Sequence, residues 1–184
     1  MMNLLFRFFL TFNATSLIIV VYLVKERFLL SKIYPFLVQL PDFVSYLIYF
    51  SIPLLLTLFS LYIAKWLDSD SIEAENEVPV IKEIEQANNA FLPSYLGYFF
   101  VALSVPHCDT LIFIFVILFV FTFLSQTLYF NPLFLIFGYN FYYITTYTDI
   151  KIFMITRKEL KNPSKLSFPN LKRINNFTFI DEER

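Results

Sequence analysis

The sequence has two glycines, one cysteine and one histidine in 184 residues, and only 16% of its residues are charged. Two glycines exclude collagen-like repeats and glycine-rich linkers, and leave no material for a phosphate-cradling loop. A single cysteine, Cys108, cannot close an internal disulfide and leaves the redox compartment open. The lone histidine, His107, removes most zinc and triad chemistry before any motif is sought. Lys and Arg number 14 against 15 Asp and Glu, so bulk charge gives no reason to expect nucleic-acid binding. What is abundant is apolar: 58% hydrophobic residues, 25 Phe, 12 Tyr and a mean hydropathy of +0.63. Soluble chains carry about 45–50% apolar and about 25% charged residues. The excess is too contiguous for one globular core and predicts a membrane protein that is not an enzyme.

A spanning helix needs about 20 mostly apolar residues to cross about 30 Å of hydrocarbon. Four blocks are candidates, at about 3–24, 43–64, 87–105 and 110–130. The first stops at Lys25-Glu26-Arg27, and Arg7 near its start can snorkel to the headgroups. No small-x-small site follows it, so it reads as a retained anchor rather than a signal peptide. The second carries no charge and has Pro53 near its middle, which membrane helices tolerate. The third contains Pro93, which disfavours a helical Leu92. A helix beginning at Pro93 would reach about 20 Å, so a crossing here requires a kinked helix starting near Gln86; a re-entrant segment is the rival. The fourth is long enough and is punctuated by Asn131-Pro132. The connector 25–42, rich in Phe, Leu and Tyr with Lys25, Arg27 and Lys32, is expected along the membrane interface.

Residues 68–85 hold seven acidic side chains against one Lys. Pro79 can open a short helix there, with Ile81, Ile84 and Ala87 or Asn88 on one face. Residues 139–147, 150–156 and 177–180 are aromatic and β-branched, with Thr148-Asp149 as a turn, and read as strands. A fifth span over 132–148 competes with that reading, but it would be short and polar. The expected fold is therefore mainly α and membrane-embedded. A four-helix transmembrane domain covers 1–133, with 65–89 as an acidic cytoplasmic loop, and a small strand-rich tail covers 134–184. Seven Lys or Arg against one Glu in 151–173 place the tail in the cytoplasm. Four spans bring the N-terminus to the same side; a five-span layout scores equally on charge, and the strand-like tail decides for four.

Little in the chain carries chemistry. His107-Cys108-Asp109 is the one cluster of metal-capable residues, but adjacent ligands on a turn are poorly placed to surround an ion, and it reads as a polar turn. The Asp-Ser-Asp-Ser run at 68–71 lacks the glycine and downstream spacing of a calcium loop. No catalytic, cofactor or metal site is assigned. Thr11, Asn13 and Thr15, beside Ser16, are the densest polar group within a span and candidates for contacts between helices, at about 0.6–2 kcal/mol each. Asn13 lies about 160° around the helix from the Thr11–Thr15 face, so no continuous polar stripe forms, which argues against a wide pore. Glu73, Glu75, Glu77, Glu83 and Glu85 of the acidic segment, with Lys151, Arg157 and Lys158 of the basic tail, are the candidates for binding a partner.

The stretch Ile-Lys-Glu-Ile-Glu-Gln-Ala-Asn-Asn-Ala-Phe-Leu-Pro-Ser-Tyr-Leu-Gly-Tyr-Phe-Phe-Val-Ala-Leu-Ser at 81–104 is the most distinctive in the chain. Leaning on Ala87 to Gly97 and on Gly138 to Thr146, and with the four-span layout, the chain resembles the KwaA family. That family is the membrane component of the bacterial Kiwa anti-phage system. The resemblance implies a non-enzymatic, multi-pass protein of the bacterial inner membrane, with four membrane helices, that assembles as a homo-tetramer. It also implies a sensor of phage attack that recruits a soluble DNA-binding effector of the KwaB type, without binding nucleic acid itself and without a cofactor. The alternative class is a pore-forming toxin or holin-like membrane protein.

Overall fold

A computed structural model describes residues 2–32, 34, 41–72, 81–90, 92–125, 131–163 and 166–182. The chain divides into two compact units. One comprises Phe9–Phe59 and Phe91–Asn131; the other comprises Met1–Phe8, Ser60–Ala90 and Pro132–Arg184.

The first unit is helical. Helix α1 runs Met2–Lys25 and α2 runs Asp42–Ala64, both within two residues of the sequence expectation, with a 3-10 turn at Leu30–Lys32 between them. Helix α4 runs Cys108–Ser125, with Asp109 in its first turn, where a carboxylate opposes the positive end of the helix dipole. Residues 126–130 of the block expected at 110–130 lie outside the described residues. These three helices are long and apolar enough to cross a bilayer. Helix α3 is a correction. It covers only Leu92–Ser104, 13 residues, not the 87–105 crossing that needed a start near Gln86. Residues 81–86 are a strand and 88–90 a turn, so helix begins only where Pro93 occupies the first turn, the one place where its missing N–H costs nothing. Thirteen residues rise about 20 Å.

Burial separates the roles of the spans. Half of the apolar window of α1 is buried within the protein, against 11% of that of α4. Ile18 and Tyr22 of α1 pack with Ala102, Val105 and Leu111. The outward side of α4, with Phe113, Phe121 and Leu124 each about two-thirds exposed, is apolar surface that lipid or another protein must cover.

The second unit is a six-stranded sheet in the order β1-β5-β6-β4-β3-β2. The strands are β1 Ser69–Ile72, β2 Ile81–Gln86, β3 Asn140–Thr146, β4 Lys151–Thr156, β5 Phe168–Asn175 and β6 Thr178–Asp181. All neighbours are antiparallel except β4 and β6, which run parallel at the centre. Five consecutive residues of β4, Ile152 to Thr156, are buried, so this strand is covered on both faces, as its unbroken apolar run demands. A short helix α5, Leu133–Ile136, leads into β3. It is closed by Gly138 at φ 77°, where Gly138 N–H reaches Leu135 O (3.0 Å) and Tyr139 N–H reaches Phe134 O (3.1 Å), a left-handed cap that a side chain would strain.

Two features of this sheet differ from the sequence expectation. The acidic segment 65–89 is not simply a loop: its two ends are strands, placed at opposite edges of the sheet. Ile81 and Ile84 do share a face, but through a strand irregularity between Ile81 and Glu83 rather than a helix. One extra residue in a strand turns a spacing of three into a same-face pair. Both isoleucines pack on the core of Tyr142, Ile144, Ile152, Met154, Leu160, Phe168, Leu171 and Phe179. Strand β5, within the segment read as a charged tail, is the other addition.

Candidate partner-binding surface

Register along β2 and β3 sorts the acidic candidates. Glu83 pairs with Thr145 and Glu85 with Tyr143, so both glutamates stand on the face opposite Ile84 and Ile144. Lys151 of β4 opposes Thr145 on that same face. Its ammonium reaches Glu85 Oε2 at 3.0 Å and lies 4.4 Å from the centre of the Tyr143 ring. Glu83, Glu85 and Lys151 are thus brought together in one exposed, charged patch. Lys82, at the irregularity, pairs with Asp149 in the β3–β4 turn, and the hydrogen bond to that carboxylate raises its pKa.

Arg157 and Lys158 lie elsewhere, just after β4. Arg157 stacks on Tyr139, with 4.6 Å between guanidinium carbon and ring centre. Lys158 is committed to the interior. It sits 3.5 Å from Asp181 Oδ2, whose side chain is fully buried and also accepts from Thr156 Oγ1 at 2.8 Å. A buried carboxylate needs that compensation, so Lys158 has a structural task. Glu73, Glu75 and Glu77 lie outside the described residues.

A cleft of about 450 Å³ opens beside β2, lined by Ile84, Gln86, Asn140, Tyr142, Glu159, Leu160 and Lys161. Its far wall is the β4–β5 connection. There Glu159 and Lys161 pair at 2.8 Å, which lowers the pKa of the carboxyl and raises that of the ammonium. Strands alone would not have revealed this cleft, because its walls come from segments more than 70 residues apart.

The other sheet edge is knitted by residues that sequence reasoning passed over. Lys172 Nζ donates to Ser69 Oγ at 2.9 Å, and Arg173 Nε lies 3.4 Å from Asp70. Asn3, from the first turn of α1, donates to Asp68 Oδ2 (2.9 Å) and to the Arg173 carbonyl (3.2 Å). The acidic residues at 68 and 70 and the basic pair at 172 and 173 become a signal only once the two segments are known to pair.

In the helical unit, Asn13 Nδ2 donates to Thr57 Oγ1 of α2 at 2.8 Å, and Asn131 Nδ2 approaches the same oxygen at 3.3 Å. Thr57 donates its own proton to Pro53 O at 2.8 Å, so this hydroxyl is saturated. Asn13 Oδ1 has no hydrogen-bond partner among the described residues. Thr15 Oγ1 bonds back to Thr11 O at 2.9 Å within its own helix, and all three side chains are fully buried. Asn131, read as punctuation, is the member that the sequence did not single out. Among the described residues no three His, Cys, Asp or Glu side chains gather as they would around a metal ion.

A model of the family described as anti-phage protein KwaA matches residues 6–180 of the chain. No curated protein and no solved structure matches it.

Proposed function

The chain belongs to the KwaA family of anti-phage proteins, and from that premise we propose that it is a membrane-embedded sensor and scaffold that works by binding rather than catalysis. Its part in phage defence follows from the family. The finer reading is a multi-pass inner-membrane protein in which the short α3 supplies a fourth crossing, so that both termini are cytoplasmic. It assembles with copies of itself, as a tetramer in the family pattern, and recruits a soluble effector of the KwaB type when phage attack perturbs the membrane. The observation that carries this reading is the contrast in surface. Helices α1, α2 and α4 are long and apolar enough for lipid, while the sheet unit gathers the charged patch of Glu83, Glu85 and Lys151. A sheet with a charged rim is a docking surface of the ordinary kind, and the lysines and arginines of 151–173 favour its cytoplasmic placement. The exposed apolar side of α4 supports packing against further copies.

The test is co-purification of the soluble partner from cells, together with a phage-plating assay. Reversing Glu73, Glu75, Glu77, Glu83, Glu85 and Arg157 together is expected to abolish capture and protection while insertion is retained. Undiminished capture and protection by that variant would end the reading. Loss of membrane potential on expression of the chain alone would instead support a pore.

A further inference from the structure

We infer that the outer edge of β2, which carries no strand among the described residues, is a strand-addition site for an extended segment of a protein partner that carries cationic side chains at alternate positions. This rests on the reading of the chain as a scaffold for a protein partner, and it names the mode and chemistry of docking.

Strand β2 is the terminal strand of the sheet and has β3 as its one strand neighbour among the described residues. Ala87 N–H donates to Phe141 O at 2.8 Å. In an antiparallel ladder successive residues direct their amides to opposite sides, so 83, 85 and 87 face β3. Ile84 and Gln86 then present their N–H and C=O groups outward. An edge with unpaired amides is a template for another strand. The opposite edge, β1, is a weaker template: it has four residues, a register break between Asp70 and Ile72, and Asp70 held by Arg173.

Side chains on the two faces of β2 define what the edge accepts. On one face stand Glu83 and Glu85, both exposed. Glu85 is balanced by Lys151, whereas Glu83 joins no ion pair among the described residues. A strand laid beside β2 would place its same-face residues next to these carboxylates, where opposite charges stabilise and like charges repel. On the other face, beside Ile84 and Gln86, lies the 450 Å³ cleft, positioned to receive an alternate side chain of the added strand.

The same charges disfavour a second copy of this strand in the registers that set Glu83 and Glu85 against their own kind. Antiparallel self-pairing centred on Ile84 sets Glu83 opposite Glu85, and pairing centred on Glu85 sets that residue opposite itself. Like charges at directly opposed positions are destabilising. The edge therefore disfavours those self-pairings and favours a basic, extended segment.

The experiment uses the full-length chain in phosphatidylcholine nanodiscs, a bilayer without net charge. The probe is a fluorescein-labelled ten-residue peptide alternating Lys and Val, read by anisotropy. The peptide is expected to bind, and N-methylation of alternate amides to weaken it about tenfold, as loss of backbone bonds at unchanged charge should. Glu83→Lys with Glu85→Lys, which leaves the fold's core untouched, is expected to transfer the preference to a peptide alternating Glu and Val. Equal binding of the methylated peptide, or an unchanged preference for the lysine peptide, would overturn strand addition. Capture of the soluble partner separates this inference from the broader one. If the double reversal captures partner normally while the six-residue reversal does not, the edge is not the docking site and the scaffold reading stands. Loss of capture with the double reversal supports both.

Discussion

Replacing Asn13 by leucine, in the middle of a buried polar contact, should cost almost nothing, whereas replacing Thr57 by valine should destabilise the helical unit. Asn13 is fully buried, donates one bond of 2.8 Å to Thr57 Oγ1, and leaves its own Oδ1 without a partner. Leucine of similar shape forfeits an inter-helix bond of about 0.6–2 kcal/mol. It also removes an orphaned carbonyl whose burial costs about 1–3 kcal/mol. The two nearly cancel, and the expected change is within about 1 kcal/mol of the parent. Valine at 57 conserves shape but deletes the oxygen that the amides of Asn13 and Asn131 both reach. Asn13 then has neither its donor nor its acceptor satisfied, and the loss is about 2–3 kcal/mol. In the Asn13→Leu background the same Thr57→Val change should cost less, because one stranded amide is gone. SDS-driven unfolding of the reconstituted chain, followed by circular dichroism, measures all four corners of that cycle. A larger loss for Asn13→Leu than for Thr57→Val would refute the reasoning.

Three other perturbations follow from single contacts. Gly138→Val forces a β-branched residue to φ 77°, and thermal unfolding of the sheet unit should register a loss of about 1–2 kcal/mol, with Gly138→Asn milder. Lys158→Met removes the cation beside the buried Asp181 carboxylate, which keeps its bond from Thr156 Oγ1; because the lysine is 29% exposed and 3.5 Å away, the expected loss is about 1–3 kcal/mol rather than the value of a fully buried pair. Adding Asp181→Leu to that variant should recover most of it in the same denaturation assay. Glu159, whose pKa is lowered by its bond to Lys161, contributes order to the cleft wall that is present above the ordinary carboxylate range. That contribution is lost as pH falls through the folded value. Carboxyl NMR should show Glu159 titrating lower in the parent than in Lys161→Met.

Much of the architecture was legible because single physical quantities encode it. Uninterrupted apolar length marks α1, α2 and α4 as helices able to span a bilayer. Strands β3, β4 and β6 were legible from β-branched and aromatic residues around the Thr148-Asp149 turn. Strands β1, β2 and β5 were not. Lys172 and Arg173 of β5 look like solvated charges until Ser69 and Asp70 are set beside them. Ile81 and Ile84 fit a helix as well as a strand with one extra residue, and only pairing with Thr146 and Ile144 distinguishes the two. The length of α3 turned on the same ambiguity, since residues spent on β2 cannot begin a helix.

The candidate surface shows the same division. Composition identified the acidic and basic segments, but could not tell that Glu85 and Lys151 touch while Lys158 is drawn to Asp181. Charge along a chain reports a solvated or paired group; which of the two depends on the strand that lies alongside.

The amino-acid sequence alone determined that this protein has apolar segments long enough to cross a membrane as helices, that its charged residues are confined to a few segments, and that its final third favours strands. Each is a local property, set by side-chain transfer energies and backbone preferences over a short window. Only the tertiary structure decided that segments 69–72 and 81–86 form opposite edges of one sheet. It also decided that α3 is short and that Asn13 meets Thr57 and Asn131. Those outcomes depend on pairing between residues far apart in the chain, where one residue of register changes which face a side chain occupies.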